Sequence, residues 1–369
     1  MRDADRVSES LLLHPLVPYG WDDRVGARFT LLDVPVHLPG RVVRIDRGSC
    51  LVATADGLVR ATPYALVSRR AGLDEDPATG DWVALVDDPQ EGPAVIGVVP
   101  RWSAISRKDP DVRVTAEQVV AANIDVLAVV CGLDRSLVQN RLERMLAVAW
   151  ESGALPVVVL TKADVVADLA RTVEAAETAA GVGVSVHVTS SVSGEGVDEV
   201  RSLLHPQRTL AFIGPSGVGK SSLVNQLVGA DVQSTGAVRV TDSRGRHTTS
   251  TRDLIPVPSG GVVLDTPGLR SLPLWDAASG VASTFADIED LAPGCRFRDC
   301  KHEHEPGCAV QTAVVSGELG ARRLESYHKL VRELAALELR QDERARRAAS
   351  RRFGRMARDI GKQKPGRDR

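Results

Sequence analysis

The chain has 369 residues, more than a single hydrophobic core ordinarily serves, so two or three domains of roughly 100–200 residues each are expected. With 43% hydrophobic and 25% charged residues it is globular, which excludes disordered, collagenous and fibrous classes for the chain as a whole. The formal charge of −2 hides an asymmetry: residues 341–369 carry 11 Lys/Arg against 4 acids, a tail of +7 on a body of −9.

Residues 1–30 lack a clear period and read as a partly ordered N-terminal arm. Its apolar stretch Leu11–Leu13 is broken by His14 and Pro15, which is no signal peptide. No apolar run approaches the ~18–20 residues of a membrane span, so a cytoplasmic protein without a membrane partner is expected. Short β-rich runs follow at 41–45, 49–54, 58–62, 81–86 and 94–99, separated by turn clusters. Five strands in so short a stretch suggest a small barrel, with an OB-fold over 31–110 as the natural candidate. Tyr64, Trp82 and Trp102 are its few aromatics, too few for a base-stacking ladder, so any nucleic-acid contact there runs through the backbone.

From 111 to 275 strands alternate with helical patterns, the signature of a parallel sheet covered on both faces. Strand-like runs fall at 124–131, 156–160, 184–188, 209–213 and 261–264. Beyond about 276 the strands stop, and a Cys-rich loop leads into a helix with Tyr327, Leu330, Val331, Leu334 and Leu337 at helical spacing. Residues 276–340 form the expected C-terminal helical domain, and 341–369 the basic tail.

Gly214-Pro215-Ser216-Gly217-Val218-Gly219-Lys220-Ser221-Ser222 fits GxxxxGK[ST] at every position, after a strand and before a helix. Such a loop turns successive N–H groups toward phosphate oxygens; Lys220 reaches the terminal phosphates and Ser221 ligates Mg²⁺. Downstream, Asp265-Thr266-Pro267-Gly268 ends an apolar strand, placing Asp265 on the Mg²⁺ side and the Gly268 N–H where it senses the γ-phosphate. Between them lies Arg246-His247-Thr248-Thr249-Ser250, whose hydroxyls, Thr249 foremost, can complete the metal shell.

Thr161-Lys162-Ala163-Asp164 resembles the guanine-reading [NT]KxD motif of GTPases. The Asp164 carboxylate can accept from guanine N1–H and N2–H₂, which adenine does not offer, and the Lys162 stem can lie over the base. Thr161 stands where Asn is commoner, so some loop-bracing hydrogen bonds are expected to be lost. Ser190, in Val188-Thr189-Ser190-Ser191, is placed to back the base. In a Ras-like GTPase the phosphate loop comes first; here the guanine-reading elements precede it, which is a circular permutation.

Cys295, Cys300, His302 and Cys308 make C-x4-C-x-H-x5-C, a donor set for one structural, tetrahedral zinc ion, with His304 as an alternative nitrogen ligand. Three of the chain's five cysteines in one cluster argue for a reducing compartment. Cys50 and Cys131 read as buried small hydrophobes.

Together these features resemble the RsgA/YjeQ family of circularly permuted GTPases that depend on the small ribosomal subunit. The resemblance covers about residues 35–330 and rests on GPSGVGKSS, GRHTTS, DTPG, the Cys/His spacing, the permuted order and Gly80-Asp81-Trp82-Val83. It implies an N-terminal OB-fold, a central permuted α/β GTPase and a C-terminal α-helical zinc domain, working as a monomer. It also implies GTP hydrolysis to GDP, stimulated by the small subunit, in late assembly of that particle, with rRNA as partner. Leu269 occupies the position of the Ras-like catalytic Gln, and the resemblance assigns the water-orienting role to His247, whose imidazole can do this chemistry. The short spacer Leu272–Trp275 between DTPG and the zinc cluster suggests that nucleotide state moves the zinc domain against the barrel and so alters the grip on rRNA.

Three rivals stay open on the residues alone. One is a permuted GTPase of the large subunit, although that class would lack this barrel and metal module. A second is a non-catalytic RNA-binding protein using GTP as a conformational ligand, which Leu269 makes thinkable. The third, a P-loop kinase or ATPase, needs Asp164 to be accidental.

Overall fold

The computed structural model describes residues 14–32, 37–62, 76–88, 92–108, 117–229, 253–265, 278–337 and 339. Within the segment expected as a partly ordered arm, residues 14–32 are packed. Helix α1 (Asp23–Phe29) starts at Asp22, whose carboxylate accepts from the Val25 N–H at 2.8 Å. Val25 and Leu16 are fully buried, and Trp21 meets Trp82 edge-on at 5.3 Å. Three or four anchors without a repeat carry this packing, which is why no period announces it.

Strands β1 (Leu38–Asp46), β2 (Ser49–Thr54), β3 (Gly57–Ala61), β4 (Trp82–Asp88) and β5 (Gly92–Val98) form one sheet in the order β3-β2-β1-β4-β5. Its two ends meet where Thr62 pairs in parallel with Ala94, with the Thr62 N–H donating to Pro93 O at 3.0 Å. This is the five-strand closure of an OB barrel. A register shift between Val42 and Arg44 bends β1 around its small core of Val42, Val52, Val83 and Val95. An antiparallel hairpin, β6 (Ala104–Lys108) with β7 (Glu117–Ala122), then leads into the central domain.

The central sheet contains β8 (Val126–Gly132), β9 (Leu155–Thr161), β10 (Ser185–Val188), β11 (Thr209–Ile213), β12 (Asp253–Pro256) and β13 (Val262–Asp265). Its order is β10-β9-β8-β11-β13-β12, parallel except for the edge strand β12. Helices α2 (Gln139–Glu151), α3 (Leu169–Ala180), α4 (Val197–Ser202) and α5 (Lys220–Val228) cover both faces. Alternation along the strands decides which helices they meet. Leu127, Val129, Val158 and Leu160 share a core with Leu142, Leu146 and Ala176 of α2 and α3. Val126, Ala128, Val157 and Val159 share another with Val200, Leu223 and Leu227 of α4 and α5.

Arg41 joins barrel to central sheet. It is 1% exposed, and its guanidinium donates to Gly80 O (3.3 Å), Tyr19 O, Asn123 O (3.3 Å) and Thr209 Oγ1 (2.8 Å) while lying over the Trp82 ring. Burial lowers its pKa to about 10, so it stays charged at neutral pH. Beside it the buried Asp81 carboxylate takes a two-pronged bond from Arg101 at 2.7 and 2.8 Å.

The C-terminal module consists of α6 (Ala278–Thr284), α7 (Ala286–Leu291), α8 (Ala309–Ser316) and α9 over 321–337. It rests on α2: Ala147 shares a core with Val281, Phe285, Ile288 and Leu324. Gly280 approaches so closely that a Cβ there would lie 2.0 Å from Ala147 O. Glu143, fully buried, accepts from Arg322 (2.8 Å), Arg323 (3.2 Å) and Ser326 Oγ (2.5 Å). Arg323 also pairs with Asp287 at 2.7 Å. Among the described residues no helix is long and apolar enough to cross a membrane.

Replacing Arg41 by Met removes all four of its hydrogen bonds; Gly80 O keeps the Asn123 Nδ2 donor at 3.2 Å, while Asn123 O loses the guanidinium. The variant is expected to lose about 2–4 kcal/mol of unfolding free energy, read from a urea melt beside wild type. A loss within ~0.5 kcal/mol would show that the node does not hold barrel to sheet.

Candidate nucleotide site and metal centre

The predicted phosphate loop leaves β11 and enters α5 at Lys220. Gly214 has φ +150° and no room for a side chain, since a Cβ would sit 2.5 Å from Val130 O on the neighbouring strand. Gly217 and Gly219 take left-handed φ of +80° and +97°, which turn the loop before the helix begins. The Lys220 ammonium folds back over the loop and donates to Gly214 O (2.8 Å) and Pro215 O (2.7 Å).

The predicted guanine-reading loop leaves β9, separated from β11 in the sheet by β8 alone. Thr161, 1% exposed, donates through Oγ1 to Val218 O of the phosphate loop, with Cys131 O at 3.3 Å. The bracing expected to be lost with Asn is therefore supplied by the hydroxyl. Lys162, in the left-handed region at φ +61°, donates through Nζ to Gly217 O (2.7 Å) and Asp134 Oδ2 (2.8 Å). The N–H of Ala163 donates to Thr189 O at 3.1 Å. Ser190 Oγ donates to Asp164 Oδ1 at 2.5 Å, so the two loops expected to surround a base are joined side chain to side chain.

Asp265 ends β13, the strand beside β11, and only its backbone is described. His247, Thr248, Thr249 and Gly268 lie outside the described residues. Sequence motifs did not single out Asp134, which follows β8 and carries no motif of its own.

In the C-terminal module one ligand atom each from Cys295, Cys300, His302 and Cys308 lies within 4.8 Å of the others, so the cluster could hold a metal ion. His302 Nδ1 stands 3.5 Å from both Cys295 Sγ and Cys308 Sγ, and those two sulfurs are 3.8 Å apart. His304 is exposed and outside the cluster. Local bonds set this loop: His302 has φ +60°, and Gln311 Nε2 donates to His302 O (2.6 Å) and Glu303 O (2.9 Å). Glu305 accepts from the N–H groups of Lys301, Glu303 and His304, the Lys301 bond foremost in holding its carboxyl down to about 2. Neither Gln311 nor Glu305 is a ligand type with zinc-site spacing, so only the fold reveals their part.

A family model described as RsgA GTPase matches residues 98–275. A protein of Streptomyces avermitilis named "Small ribosomal subunit biogenesis GTPase RsgA" is 47% identical over 341 residues, 90% of this chain and 89% of that protein. One of the same name from Methanosarcina acetivorans is 37% identical, covering 93% of this chain and 92% of the relative. Among solved structures, YloQ, titled a circularly permuted GTPase, aligns with a TM-score of 0.60 over 82% of this chain and 96% of that one, at 24% identity. YjeQ from Thermotoga maritima aligns with a TM-score of 0.59, covering 81% and 99%. At that identity the structures speak for the fold.

Burial pushes the Cys50 and Cys131 thiols up to about 11, so both remain protonated and unreactive at pH 8. Titrating the folded protein with an aromatic disulfide at pH 8 is expected to leave Cys50 and Cys131 unmodified, any fast reaction falling within the Cys295–Cys308 cluster. Mass mapping checks this; fast modification of Cys131 in the folded protein would contradict it.

Proposed function

Since the chain belongs to the RsgA GTPase family, we propose that it hydrolyses GTP to GDP and phosphate on the small ribosomal subunit late in that particle's maturation. The observation that carries this reading is the convergence of two loops 50 residues apart in sequence, tied through Thr161 to Val218 and Lys162 to Gly217. One loop suits phosphates and the other suits guanine.

The backbone of Gly214–Ser222 cradles the phosphates at the start of α5, where the N–H groups of the loop and the helix dipole favour anions. Lys220 exchanges the loop carbonyls that it now bonds for phosphate oxygens. Asp164, oriented by Ser190, takes the N1–H and N2–H₂ of guanine, and the Lys162 stem lies over the base, with Ala163 closing the loop. Ser221, Thr249 and Asp265 are the residues suited to a Mg²⁺ ion, which spreads the charge developing between the β- and γ-phosphates when bound. Gly268 offers its N–H to the γ-phosphate, and the Thr248 hydroxyl is a further group able to complete the metal shell. His247 hydrogen-bonds the attacking water, since Leu269 has no polar atom to do so.

Zinc is the metal that fits the C-terminal donors. Zn–S bonds of about 2.3 Å and Zn–N bonds of about 2.0 Å in a tetrahedron require sulfur–sulfur gaps of about 3.8 Å and sulfur–nitrogen gaps of about 3.5 Å. The spacings around Cys295, His302 and Cys308 agree with both. With three thiolates and one imidazole no position is left for water, so the ion is structural. The division into an OB-fold (31–110), a GTPase domain (111–275), a zinc domain (276–340) and a basic tail (341–369) follows, with rRNA contacts by barrel and tail and nucleotide state coupled to grip on the particle. Such a protein works in the cytoplasm as a monomer.

Phosphate release titrated with purified ribosomal subunits tests the reading. Small subunits are expected to raise turnover at least tenfold, as lowering the activation barrier by roughly 1.4 kcal/mol would give, and large subunits to leave it within twofold. His247→Ala is expected to keep GTP affinity and lose the stimulated turnover. Equal stimulation by both subunits would overturn the partner, and unchanged turnover in the variant would overturn the role of His247.

A further inference from the structure

The nucleotide site just described contains a side chain that no motif covers. Asp134 stands two residues beyond β8, the strand lying between the two nucleotide loops. The chain is held close to the phosphate loop there, because a Cβ at Gly132 would lie 3.2 Å from Val218 Cα. The Asp134 carboxylate accepts from Lys162 Nζ at 2.8 Å, and the same ammonium donates to Gly217 O at 2.7 Å. One lysine therefore binds the ends of three neighbouring strands together.

We propose that Asp134 is a positioning residue: its carboxylate fixes the Lys162 ammonium so that the guanine-reading loop and the phosphate loop form one binding surface before nucleotide arrives. This rests on the guanine-nucleotide reading above. The physical need is specific. A lysine stem loses much rotamer freedom when it is fixed over a base, and a single carbonyl anchor leaves the ammonium free to swing. Two acceptors, one of them charged, hold it in one place. The pair is partly exposed, with side chains 37% and 32% accessible, and an isolated surface pair of that kind contributes little to stability. Its effect is accordingly expected in nucleotide affinity rather than in the melting temperature. The Lys162 bond also draws the Asp134 carboxyl below the usual carboxylate range, which keeps the anchor ionised at neutral pH.

The test is a double-mutant cycle on GDP affinity, measured calorimetrically with full-length wild type, Asp134→Ala, Asp134→Asn, Lys162→Ala and the Asp134→Ala/Lys162→Ala double variant. Asp134→Ala is expected to weaken GDP about fivefold at an unchanged melting temperature, while Asp134→Asn, which keeps an oxygen acceptor, stays within about twofold. In the Lys162→Ala background the second substitution should change affinity less than about twofold, because the group it positions is gone. The preference for GDP over IDP should be unaltered, since the bonds of Asp164 to the base remain. Wild-type affinity in Asp134→Ala would overturn the proposal, and so would losses that multiply in the double variant. An ADP titration of the wild type separates this from the underlying reading. Equal ADP and GDP affinity would sink the guanine assignment, while the cycle would still decide whether Asp134 acts through Lys162.

Discussion

The nucleotide site depends on one placement, that of β8 between β9 and β11. Neighbouring strands lie about 4.8 Å apart, so loops leaving β9 and β11 at the same end of the sheet start roughly 10 Å apart. The Thr161 hydroxyl and the Lys162 ammonium span that gap by reaching Val218 O and Gly217 O. From β8 the chain runs outward through β9 and β10 on one side, then returns to β11 on the other, and a crevice opens where the direction reverses. Because the loops are joined across the sheet and not along the chain, their order in sequence is immaterial to the chemistry. A permuted chain can therefore build the same site.

Two buried arginines extend this sheet into a larger body. Arg41 reaches from the barrel to Thr209, the first residue of the strand that ends in the phosphate loop. Arg323 reaches from the C-terminal module to Glu143 on α2, and the first half of α2 also lines a pocket with the phosphate loop, through Arg141, Leu142 and Met145 facing Pro215–Val218. Breaking a buried pair by moving one partner away is strongly unfavourable, about 3–5 kcal/mol when one partner is deleted. A swing of the metal module against the barrel, as the short spacer after the DTPG motif suggested, must therefore either break the Glu143 node or carry α2 with it. Motion of α2 reaches the wall of the phosphate loop directly.

Much of this was legible in the sequence wherever the determinants are contiguous. The predicted phosphate loop, the TKAD loop and the Cys/His cluster each occupy a short stretch recognisable from residue type and spacing alone. The five barrel strands show through as β-branched runs between turns. The β6–β7 hairpin did not, because Ser106, Arg107, Lys108, Glu117 and Gln118 make its far half polar and leave only the short apolar run Val119–Ala122. Helix α1 escaped notice for a related reason, since Gly26 interrupts it and only Val25 and Phe29 are buried. Long-range partners were out of reach: nothing in Leu133-Asp134-Arg135 announces that Asp134 meets Lys162, and nothing in the charged face of α2 marks Glu143 as buried. Such residues gain their roles from the sheet order, which periodicity does not specify.

The account stands on guanine being read at Asp164, on a loop that precedes the phosphate loop in the chain. Competition binding of GDP and XDP to Asp164→Asn measures this directly. An amide in place of the carboxylate presents a donor toward the ring edge, where xanthine carries a carbonyl and guanine an amino group. The variant should lose GDP affinity by at least about tenfold and bind XDP more tightly than GDP. Retention of the wild-type preference for GDP would contradict a guanine site at residues 161–164.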